Sequence, residues 1–562
     1  MGRSKHAVSE RSGPTWLVAA FVLLIAFRVA AICLSPLGLG PDEAQYWRWS
    51  TEPAWGYYSK PPLIAWVIGA TTGLFGDSEW AIRLAAPLLH GLTALFLFSL
   101  GRQMYGPRVA IWAAACYLTM PGATYSSGVI TTDAVLLPCF AAAMVCLWHL
   151  RQSGPSAFGA LGLGIALGVG FLAKYAMVYA VIGLACAALI DRDTRLAVRS
   201  RYGLLAASVA AALVTPHLVW NAQNGFQTVN HTADNANWGG SLFSPMNGVQ
   251  FLVDQMAIIG PIGFIALIAA IILHARQGQR DENSAKISWL LCFLLPALTL
   301  ITVQAVVSRA HANWAATIYI AGCLILAATL SRDKCIPKPA WFFCAGLILA
   351  AAMVTPDLSS AEKLIMGGAF GTIILAAGLI SSWKTSGILA GGVALNLFLA
   401  VLFTAIAIGP VSWSERFGVD QSFKRSRAWP ETVARLNAEL IQTRADVLLV
   451  DERELWHGVD YYGRGRVQVP VYSWRPAEVP KSFAEKADLA DLDDPRVLVA
   501  SIKPHQRPKM RADFAEFKDA GDVKVPIGGG AYRSIRLYEA RGYDPLNRTP
   551  TWRERFKGLS EP

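Results

Sequence analysis

The stretch WLVAAFVLLIAFRVAAI, Trp16–Ile32, is apolar except for Arg28, and this property sets the class of the protein. It follows the basic residues Arg3, Lys5 and Arg11. It is longer than the apolar core of a signal peptide, and no clear small-residue cleavage site follows it. Because an apolar run of this kind can span a hydrocarbon core as a helix, we predict a retained first transmembrane helix.

Similar apolar blocks recur along the chain until about Gly409 and stop after Pro410. The 562 residues are 54% hydrophobic and only 16% charged, which lies outside the usual range of soluble domains. The polar residues between the blocks predict spans near residues 15–35, 80–100, 109–127, 133–150, 157–173, 175–190, 203–220, 249–273, 287–307, 313–331, 339–355, 362–381 and 387–409. The pattern therefore predicts a mainly α protein, a polytopic bundle of about 13 transmembrane helices.

The topology of the bundle follows from the basic residues between the apolar blocks. If the N-terminus is cytoplasmic, most of these residues fall in inside connectors, namely Arg102, Arg108, Arg151, Arg192, Arg195, Arg199, Arg201, Arg276, Arg280, Lys286, Arg332, Lys334, Lys338 and Lys384. The outside connectors hold mainly Arg48, Lys60, Lys174 and Arg309. Lysine and arginine collect in cytoplasmic loops, so the asymmetry places the chain after Pro410 outside the cytoplasm. It also explains the net charge of +11 without a nucleic-acid partner.

The C-terminal part has the composition of a soluble domain. Short β-rich runs, Asp446–Val450 and Arg496–Ile502, alternate with charged segments. No cysteine follows Cys344, so this domain folds without disulfides, and the run Gly528–Gly530 predicts a turn. We predict a transmembrane domain over residues 1–409, with outer loops at 36–79 and 221–248, and a small extracytoplasmic α/β domain over 410–562.

Two further patterns concern packing. The apolar segment Pro61–Gly76 is only about one short helix long, so we predict that it lies along the outer membrane face. The glycines of Gly159–Gly170 include the small-xxx-small spacing, which allows two helices to approach closely. No GxxxxGK[ST] motif occurs, which argues against ATP as an energy source.

The predicted outer face carries the candidate chemistry. The first outer loop reads GPDEAQYW, Gly40–Trp47, and then GYYSKPPLIAW, Gly56–Trp66. A carboxylate at a membrane boundary can accept the proton of a hydroxyl whose oxygen attacks a sugar carbon, and Asp42 is the candidate base. Asp133, a second carboxylate at the outer end of a span, is a further catalytic candidate.

A leaving phosphate on a lipid would need fixed cations near the interface. The candidates for binding it are Lys60, Arg83, Lys174 and Arg309. The candidates for binding the sugar or the acceptor are Glu43, Tyr46, Tyr58, His231, Asn235 and His311. The last three come from two polar outer segments, Pro216–Trp238 and Ser308–Trp314, in which His311 is more often structural than catalytic.

Each of these residues also has an ordinary structural interpretation. Asp42 and Glu43 would suit a solvated loop, Asp133 a helix N-cap, and Lys60 a snorkelling anchor. Most aromatic residues of the first outer loop, Tyr46, Trp47, Trp49, Trp55, Tyr57, Tyr58 and Trp66, fit an interfacial belt better than sugar stacking. Arg28 either pairs with a carboxylate such as Asp42 or snorkels. The functional interpretation depends on convergence, since all the candidates fall at one predicted membrane face, in a single cavity.

At these residues the sequence resembles the GT-C membrane glycosyltransferases, in the group of the protein O-mannosyltransferases and the lipid A aminoarabinose transferases. The resemblance is carried by Asp42-Glu43, Lys60-Pro61-Pro62-Leu63 with Trp66, Phe75-Gly76, Glu79–Arg83, Asp133 and Phe171–Lys174. It implies that Asp42 is the catalytic base and that Lys60, Arg83 and Lys174 hold the donor phosphate. The chain departs from the aminoarabinose transferases at Gln45, where they carry a basic residue. The outer loops look more like bacterial members that decorate lipopolysaccharide, including galacturonic acid transferases of rhizobial type.

The sequence thus predicts a glycosyltransferase of the bacterial inner membrane, with its C-terminal domain in the periplasm. The expected donor is a polyprenyl-phosphate sugar and the expected acceptor a lipid or glycan, lipid A or lipopolysaccharide being favoured. No residue spacing requires a cofactor, although nearby carboxylates leave a divalent metal open. The alternatives are a transporter or flippase of lipid-linked sugars, the same chemistry on a protein hydroxyl, and an outer binding module on inert helices.

Overall fold

The computed structural model describes residues 15–236, 243–278, 281–331, 384–476, 480 and 482–545. The predicted spans near 339–355 and 362–381 lie outside the described residues. The chain forms two compact units. The first comprises Met1–Cys33, Leu84–Pro216 and Ala233–Leu402, and the second comprises Leu34–Arg83, His217–Thr232 and Phe403–Pro562.

The helices of the N-terminal half of the described chain are α1 (Thr15–Leu34), α2 (Pro41–Ser50), α3 (Leu63–Phe75), α4 (Glu79–Arg83), α5 (Ala85–Tyr105), α6 (Pro107–Thr119), α7 (Pro121–Ser127), α8 (Thr132–Ser153), α9 (Ala157–Ala173), α10 (Val178–Ile190), α11 (Arg192–Arg199), α12 (Arg201–Gln223) and α13 (Gln227–Ala236). Those that follow are α14 (Pro245–Ile259), α15 (Pro261–Gln277), α16 (Glu282–Val307), α17 (Ile318–Leu330), α18 (Thr385–Ile408), α19 (Val411–Arg416), α20 (Trp429–Thr443), α21 (Arg453–Tyr462) and α22 (Arg507–Arg511).

The strands are β1 (Val447–Val450), β2 (Val471–Ser473), β3 (Val497–Ser501), β4 (Phe514–Gly528) and β5 (Ala531–Tyr543). Short 3-10 helices occur at Tyr175–Met177, Ala312–Ala315, Asp420–Ser422, Lys424–Ser426, Phe483–Glu485, Leu489–Asp491 and Pro504–Gln506.

The described helices confirm a polytopic membrane protein. Glu79–Tyr105, α8, α12, α16 and α18 are each long and apolar enough to cross a membrane. Two further helix pairs pass the same test together, one at 175–199 bent by 118° and one at 245–276 bent by 115°. Length and composition thus give five spans, or up to seven, within the described residues. The count of thirteen stays a prediction.

Two predicted spans are interrupted by prolines. The span predicted near 249–273 is wrong as one helix, because α14 ends before Gly260 and α15 starts at Pro261. The span predicted near 109–127 likewise breaks at Met120, and α7 starts at Pro121. Proline has no backbone N–H and its ring crowds the preceding turn, but it is well tolerated at the first position of a new helix.

The glycines of α9 lie where helices approach closely, as predicted. A Cβ at Gly164 would lie 2.6 Å from the carbonyl oxygen of Ala206, and one at Gly168 would lie 2.8 Å from Cβ of Leu213. Ala206 and Leu213 both belong to α12. No other residue type fits at Gly164 without a shift of backbone, so the two helices can pack this closely only because the residue there is glycine.

Two basic residues of the predicted inside connectors, Arg151 and Lys286, lie at one end of the first unit. Arg151, near the C-terminal end of α8, forms an ion pair with Asp191 at 2.9 Å. Lys286, near the start of α16, lies 5.5 Å from the ring centroid of Tyr105 at the end of α5. Asp133 lies at the opposite, N-terminal end of α8, roughly 30 Å away along a helix of this length. Within this unit, the basic helix ends and the candidate carboxylate are therefore about one bilayer apart.

The second unit contains a five-stranded sheet in the order β2-β1-β3-β5-β4. β1 pairs in parallel with β2 and β3, whereas β5 pairs antiparallel with β3 and β4. The predicted runs at Asp446–Val450 and Arg496–Ile502 correspond to β1 and β3. Gly528–Gly530 form the predicted turn, with all three φ angles positive between 60° and 94°, in the connection from β4 to β5.

Both faces of this sheet are buried. Leu448 and Val450 pack in a cluster with Trp429 of α20, while Val447 and Leu449 pack on the other face with residues that include Trp474. Residues of β1 and β3 are therefore apolar without alternation, as expected for parallel strands that are covered on both sides.

Candidate active site

The candidate base Asp42 lies in the first turn of α2, in the second unit. Gly40 is the N-cap and Pro41 the first helical residue, and the Gly40 N–H donates to Glu43 Oε2 at 2.8 Å. The Asp42 side chain is 60% exposed. Its negative charge is favourable at a helix N-terminus. Asp42 is solvated, as the structural interpretation expects, but that interpretation is wrong about the loop, because the residue lies on a capped helix.

Glu43, by contrast, is enclosed. Its carboxylate accepts from Arg83 Nε at 2.8 Å and from Nη2 at 2.7 Å, and the two side chains are 4% and 3% exposed. Arg83 also donates to the carbonyl oxygens of Leu37 and Gly38, at 2.9 and 2.7 Å. These contacts fix the chain that leads into α2. They favour a supporting role for both residues, and phosphate binding by Arg83 stays a prediction.

Arg453, the first residue of α21, is the contact of Asp42 that the sequence did not reveal. Its Nη2 lies 3.3 Å from Asp42 Oδ1, and its Nη1 donates to Gln45 Oε1. Gln45 Nε2 in turn lies 3.4 Å from Ser59 Oγ. No sequence signal links Arg453 to α2, because 411 positions separate it from Asp42.

The aromatic residues at the start of this unit are mostly interior. Trp49 is fully buried and stacks on Tyr57 at 4.7 Å, and Trp47 meets Tyr461 edge to face at 4.9 Å. Tyr46 is 5% exposed and packs against Trp49. The belt interpretation is therefore wrong for these four residues of the first outer loop. The burial of Tyr46 also favours a packing role over its predicted contact with sugar.

Two predicted sugar contacts do lie together. The rings of Tyr58 and His231 are 5.2 Å apart, with His231 on α13. Thr228, one turn earlier on α13, donates from its hydroxyl to the carbonyl oxygen of Tyr57 at 2.6 Å. The Tyr57 N–H donates to the carbonyl oxygen of Lys60 at 3.1 Å, which places Lys60 at the end of the same turn. The side chain of Asn235 lies outside the described residues.

Asp133 anchors the candidate site of the first unit. Its Oδ1 accepts from Lys174 Nζ at 2.6 Å and its Oδ2 accepts from Asn313 Nδ2 at 2.8 Å. The helix N-cap is Thr131, whose hydroxyl accepts from the Ala134 N–H at 3.3 Å, so the N-cap interpretation of Asp133 is wrong. The two candidates Asp133 and Lys174, 41 positions apart, form one ion pair with side chains 11% and 20% exposed.

Hydrogen bonds from a buried glutamine fix the segment that carries Asn313. Gln255 is fully buried, donates to the carbonyl oxygen of Ala312 at 3.3 Å, and accepts from the Tyr319 hydroxyl at 2.8 Å. Arg309 and His311 are exposed on the same segment, and His311 packs edge to face against Trp314 at 5.7 Å. The predicted group of residues at 309–314 is thus brought next to Asp133 only through Asn313.

Arg28 follows neither of its predicted behaviours. Its guanidinium is buried and donates to the carbonyl oxygen of Leu118 and to the Thr124 hydroxyl, the latter at 3.2 Å. Leu118 precedes the break between α6 and α7, where the helical hydrogen bonds are interrupted. Backbone groups freed inside a membrane need internal partners, so Arg28 stabilises the break. Pairing with a carboxylate and snorkelling are both wrong.

Two titratable groups on α21 are shifted by burial. Burial raises the pKa of Asp460 to about 6, although Arg48 and Arg464 oppose the shift. Burial also lowers the pKa of His457 well below its usual value, with Arg453 and Arg48 adding to the effect. His457 is therefore neutral at physiological pH. Among the described residues, no group of three or more His, Cys, Asp or Glu side chains is arranged to hold a metal ion.

Comparison with known proteins gives consistent likenesses. The profile of a family described as dolichyl-phosphate-mannose-protein mannosyltransferase matches residues 59–220. The lipid A galacturonosyltransferase RgtD of Rhizobium johnstonii is 39% identical over 319 residues, covering 57% of this chain and 65% of that protein. An undecaprenyl phosphate-alpha-4-amino-4-deoxy-L-arabinose arabinosyl transferase of Serratia proteamaculans is 27% identical over 312 residues, covering 50% of this chain and 55% of that protein. The chain spans less than two thirds of the length of these curated relatives.

Two solved structures extend the likeness to 98% of this chain. The crystal structure of ArnT from Cupriavidus metallidurans bound to undecaprenyl phosphate aligns with a TM-score of 0.60 at 14% identity, covering 98% of this chain and 100% of that chain. The apo state of that protein gives a TM-score of 0.57 at 17% identity, with the same coverage. At these identities the likeness shows the fold alone, and it confirms the predicted fold class.

Proposed function

Since the chain has the fold of the GT-C membrane glycosyltransferases, we propose that it transfers a sugar from a polyprenyl-phosphate donor to a lipid or glycan acceptor. Lipid A or lipopolysaccharide is the favoured acceptor, because a relative that is 39% identical is named a lipid A galacturonosyltransferase. We place the reaction at the periplasmic face of a bacterial inner membrane. The basic residue Arg151 at the opposite end of α8 from Asp133 supports this orientation.

The observation that carries the proposal is the setting of Asp42. It is an exposed carboxylate on the first turn of a capped helix, backed by the buried Glu43–Arg83 pair. A general base must be within hydrogen-bond reach of the proton it takes and must remain accessible to the substrate. Asp42 satisfies the second condition, and the fixed helix start satisfies the need for a defined position.

In the proposed reaction, Asp42 accepts the proton of the acceptor hydroxyl as its oxygen forms a bond to the anomeric carbon. The bond between that carbon and the phosphate oxygen breaks, and its electron pair leaves with polyprenyl phosphate. The proton then passes from Asp42 to solvent or to the released phosphate. This scheme is balanced with no other co-reactant, and the released polyprenyl phosphate gains negative charge as it departs.

Cations near that charge would stabilise the transition state. We propose that Lys174, held by Asp133, and the exposed Arg309 bind the donor phosphate, together with Lys60. Asp133 is then an orienting residue, because it fixes the Lys174 ammonium at 2.6 Å while Asn313 occupies its second oxygen at 2.8 Å. Tyr58 and His231, 5.2 Å apart, are the proposed sugar or acceptor contacts, with His311.

The experiment supplies the purified full chain in lipid vesicles with a labelled polyprenyl-phosphate sugar and with lipid A. We expect label on lipid A and a stoichiometric release of polyprenyl phosphate, both measured by mass spectrometry. Movement of the intact lipid-linked sugar across the vesicle with no transfer would contradict the proposal in favour of a flippase. Label on a protein hydroxyl with none on lipid A would contradict the proposed acceptor.

A further inference from the structure

The soluble domain contributes a side chain to the vicinity of Asp42. Arg453 follows β1 by three residues and starts α21, which leads to β2, while β3 lies on the other side of β1. The strand order therefore reverses at β1, at the carboxyl ends of the parallel strands. Open α/β sheets bind ligands in the crevice at such a position.

The backbone at this position is firmly held. Asp451, 5% exposed, accepts from the Ser501 hydroxyl at 2.6 Å and from the N–H groups of Ile502 and Lys503 at 3.0 and 2.8 Å. This carboxylate ties the end of β1 to the end of β3. Arg453 thus projects from a fixed point of the sheet rather than from a free loop.

Only two of the N–H donors of the Arg453 guanidinium make hydrogen bonds to described residues. It is 41% exposed, and within the described residues its contacts are one to Asp42, at 3.3 Å, and one to Gln45. An arginine has five N–H donors in a planar fork. The remaining donors stay available beside the proposed base, where a donor sugar would have to lie for its anomeric carbon to be attacked.

We propose that Arg453 binds the carboxylate of a uronosyl donor and so selects an anionic sugar. This inference depends on the proposed function. The carboxyl group of a uronic acid lies across the ring oxygen from the anomeric carbon, about one sugar ring away from the reacting bond. A guanidinium binds a carboxylate through two parallel hydrogen bonds, a geometry that a neutral hydroxymethyl group cannot match.

The proposed contact with the sugar also affects Asp42, because Arg453 is paired with Asp42 in this structure. A guanidinium that turns to the sugar carboxylate relinquishes its bond to Asp42. The Asp42 oxygen is then free to accept the proton of the acceptor hydroxyl. The exposed pair, with side chains 60% and 41% exposed, costs little to open.

The test compares the parent chain with Arg453→Ala and Arg453→Lys, using a polyprenyl-phosphate galacturonosyl donor and its neutral galactosyl counterpart. We expect Arg453→Ala to raise the KM for the uronosyl donor by about 10- to 100-fold. Arg453→Lys should recover part of the loss, because it restores the charge but not the planar fork. Arg435→Ala, which removes an exposed arginine paired with Glu431 on α20, is the matched control and should behave like the parent.

A second measurement separates sugar recognition from structural damage. Inhibition by polyprenyl phosphate alone, which has the lipid and the phosphate but no sugar, should be unchanged in Arg453→Ala. Weaker inhibition, or an equal loss on the uronosyl and neutral donors, would overturn the inference. So would a loss that disappears when the acceptor lacks its phosphates, since Arg453 would then bind the acceptor.

The failures of the two proposals are distinguishable. If the parent transfers sugar and Arg453→Ala shows no donor selectivity, only this inference fails. If the parent transfers no sugar from either donor, the proposed function fails and the inference fails with it.

Discussion

Asp42 and Glu43 are neighbours in sequence but differ in almost every physical respect. Asp42 is 60% exposed, whereas the Glu43 side chain is 4% exposed and pairs with Arg83 at 2.7 Å. Taking two charges out of water is expensive, and the cost is recovered only while both partners are present. We therefore assign structural support to Glu43 and chemistry to Asp42.

Removal of Arg83 should act on stability. Arg83→Met leaves the Glu43 carboxylate buried without its partner, so we expect the protein to lose about 3–5 kcal/mol of stability. The double variant Arg83→Met, Glu43→Gln should recover part of the loss, because it removes the uncompensated charge. The measurement is the thermal midpoint of the full chain in detergent, followed by tryptophan fluorescence.

The opposite pattern would restore the phosphate-binding prediction for Arg83. A variant with the midpoint of the parent but a selective rise in the KM for the lipid-phosphate donor would contradict the structural assignment.

Asp460 makes stability depend on pH. Burial raises the pKa of Asp460 in the folded protein to about 6, whereas an aspartate in the unfolded chain has a pKa of about 4. The folded protein is therefore most stable, relative to the unfolded chain, at pH values below about 4, where Asp460 is protonated in both states. This contribution is lost as the pH rises through about 6. Asp460→Asn should therefore match the parent near pH 4 and be more stable by about 1–3 kcal/mol near pH 7.5.

The measurement is the midpoint of denaturant unfolding for both proteins at a series of pH values. A difference between them that stays constant from pH 4 to pH 7.5 would show that Asp460 does not titrate in this range.

Among the helices, the close contact between α9 and α12 limits the residue at position 164 to glycine. Gly164→Val should destabilise the protein by roughly 1–3 kcal/mol, since a Cβ there lies 2.6 Å from the Ala206 carbonyl oxygen and the added methyl groups would force the helices apart. Gly391→Ala in α18 is the matched control, because a Cβ at Gly391 would meet no atom of the described residues within 4 Å. It should be neutral or stabilising, as alanine favours helix more than glycine does.

The measurement is the thermal midpoint of each variant in detergent, compared with that of the parent. Equal midpoints for Gly164→Val and the parent would mean that α9 and α12 do not pack at this distance in the membrane protein.

The elements show which parts of the fold a sequence can reveal. Apolar length located α8, α16 and α18 well, because the thickness of the bilayer sets the length of a spanning helix. The breaks at Pro121 and Pro261 were missed, since the flanking residues stay apolar on both sides. Hydropathy reports burial in lipid, whereas a break depends on backbone hydrogen bonds and on their replacement, as by Arg28 at the Leu118 carbonyl.

At the scale of the whole molecule, the sequence revealed the reactive residue types better than their partners. Their places at span ends predict Asp133 and Lys174 as site residues, and the two form an ion pair. The sequence does not predict Arg453, because its contact with Asp42 depends on how a segment 411 positions away folds. The prediction for the buried Tyr46 depends on its residue type alone, which cannot distinguish packing from recognition.

The second unit contains the exposed carboxylate of Asp42, and the first unit contains the paired carboxylate of Asp133. Asp133 is fully engaged by Lys174 and Asn313, which suits it to orient a cation. Asp42 is exposed and has a partner that can be displaced, which suits it to accept a proton.

The most direct test is the rate of sugar transfer by Asp42→Asn in the full chain. We predict a fall in kcat of at least about 100-fold, with an unchanged thermal midpoint and little change in the KM for the donor. Glu52→Gln, which removes an exposed carboxylate from the same outer segment, should keep the parent rate. Transfer by Asp42→Asn at the rate of the parent would contradict the assignment of Asp42 as the base.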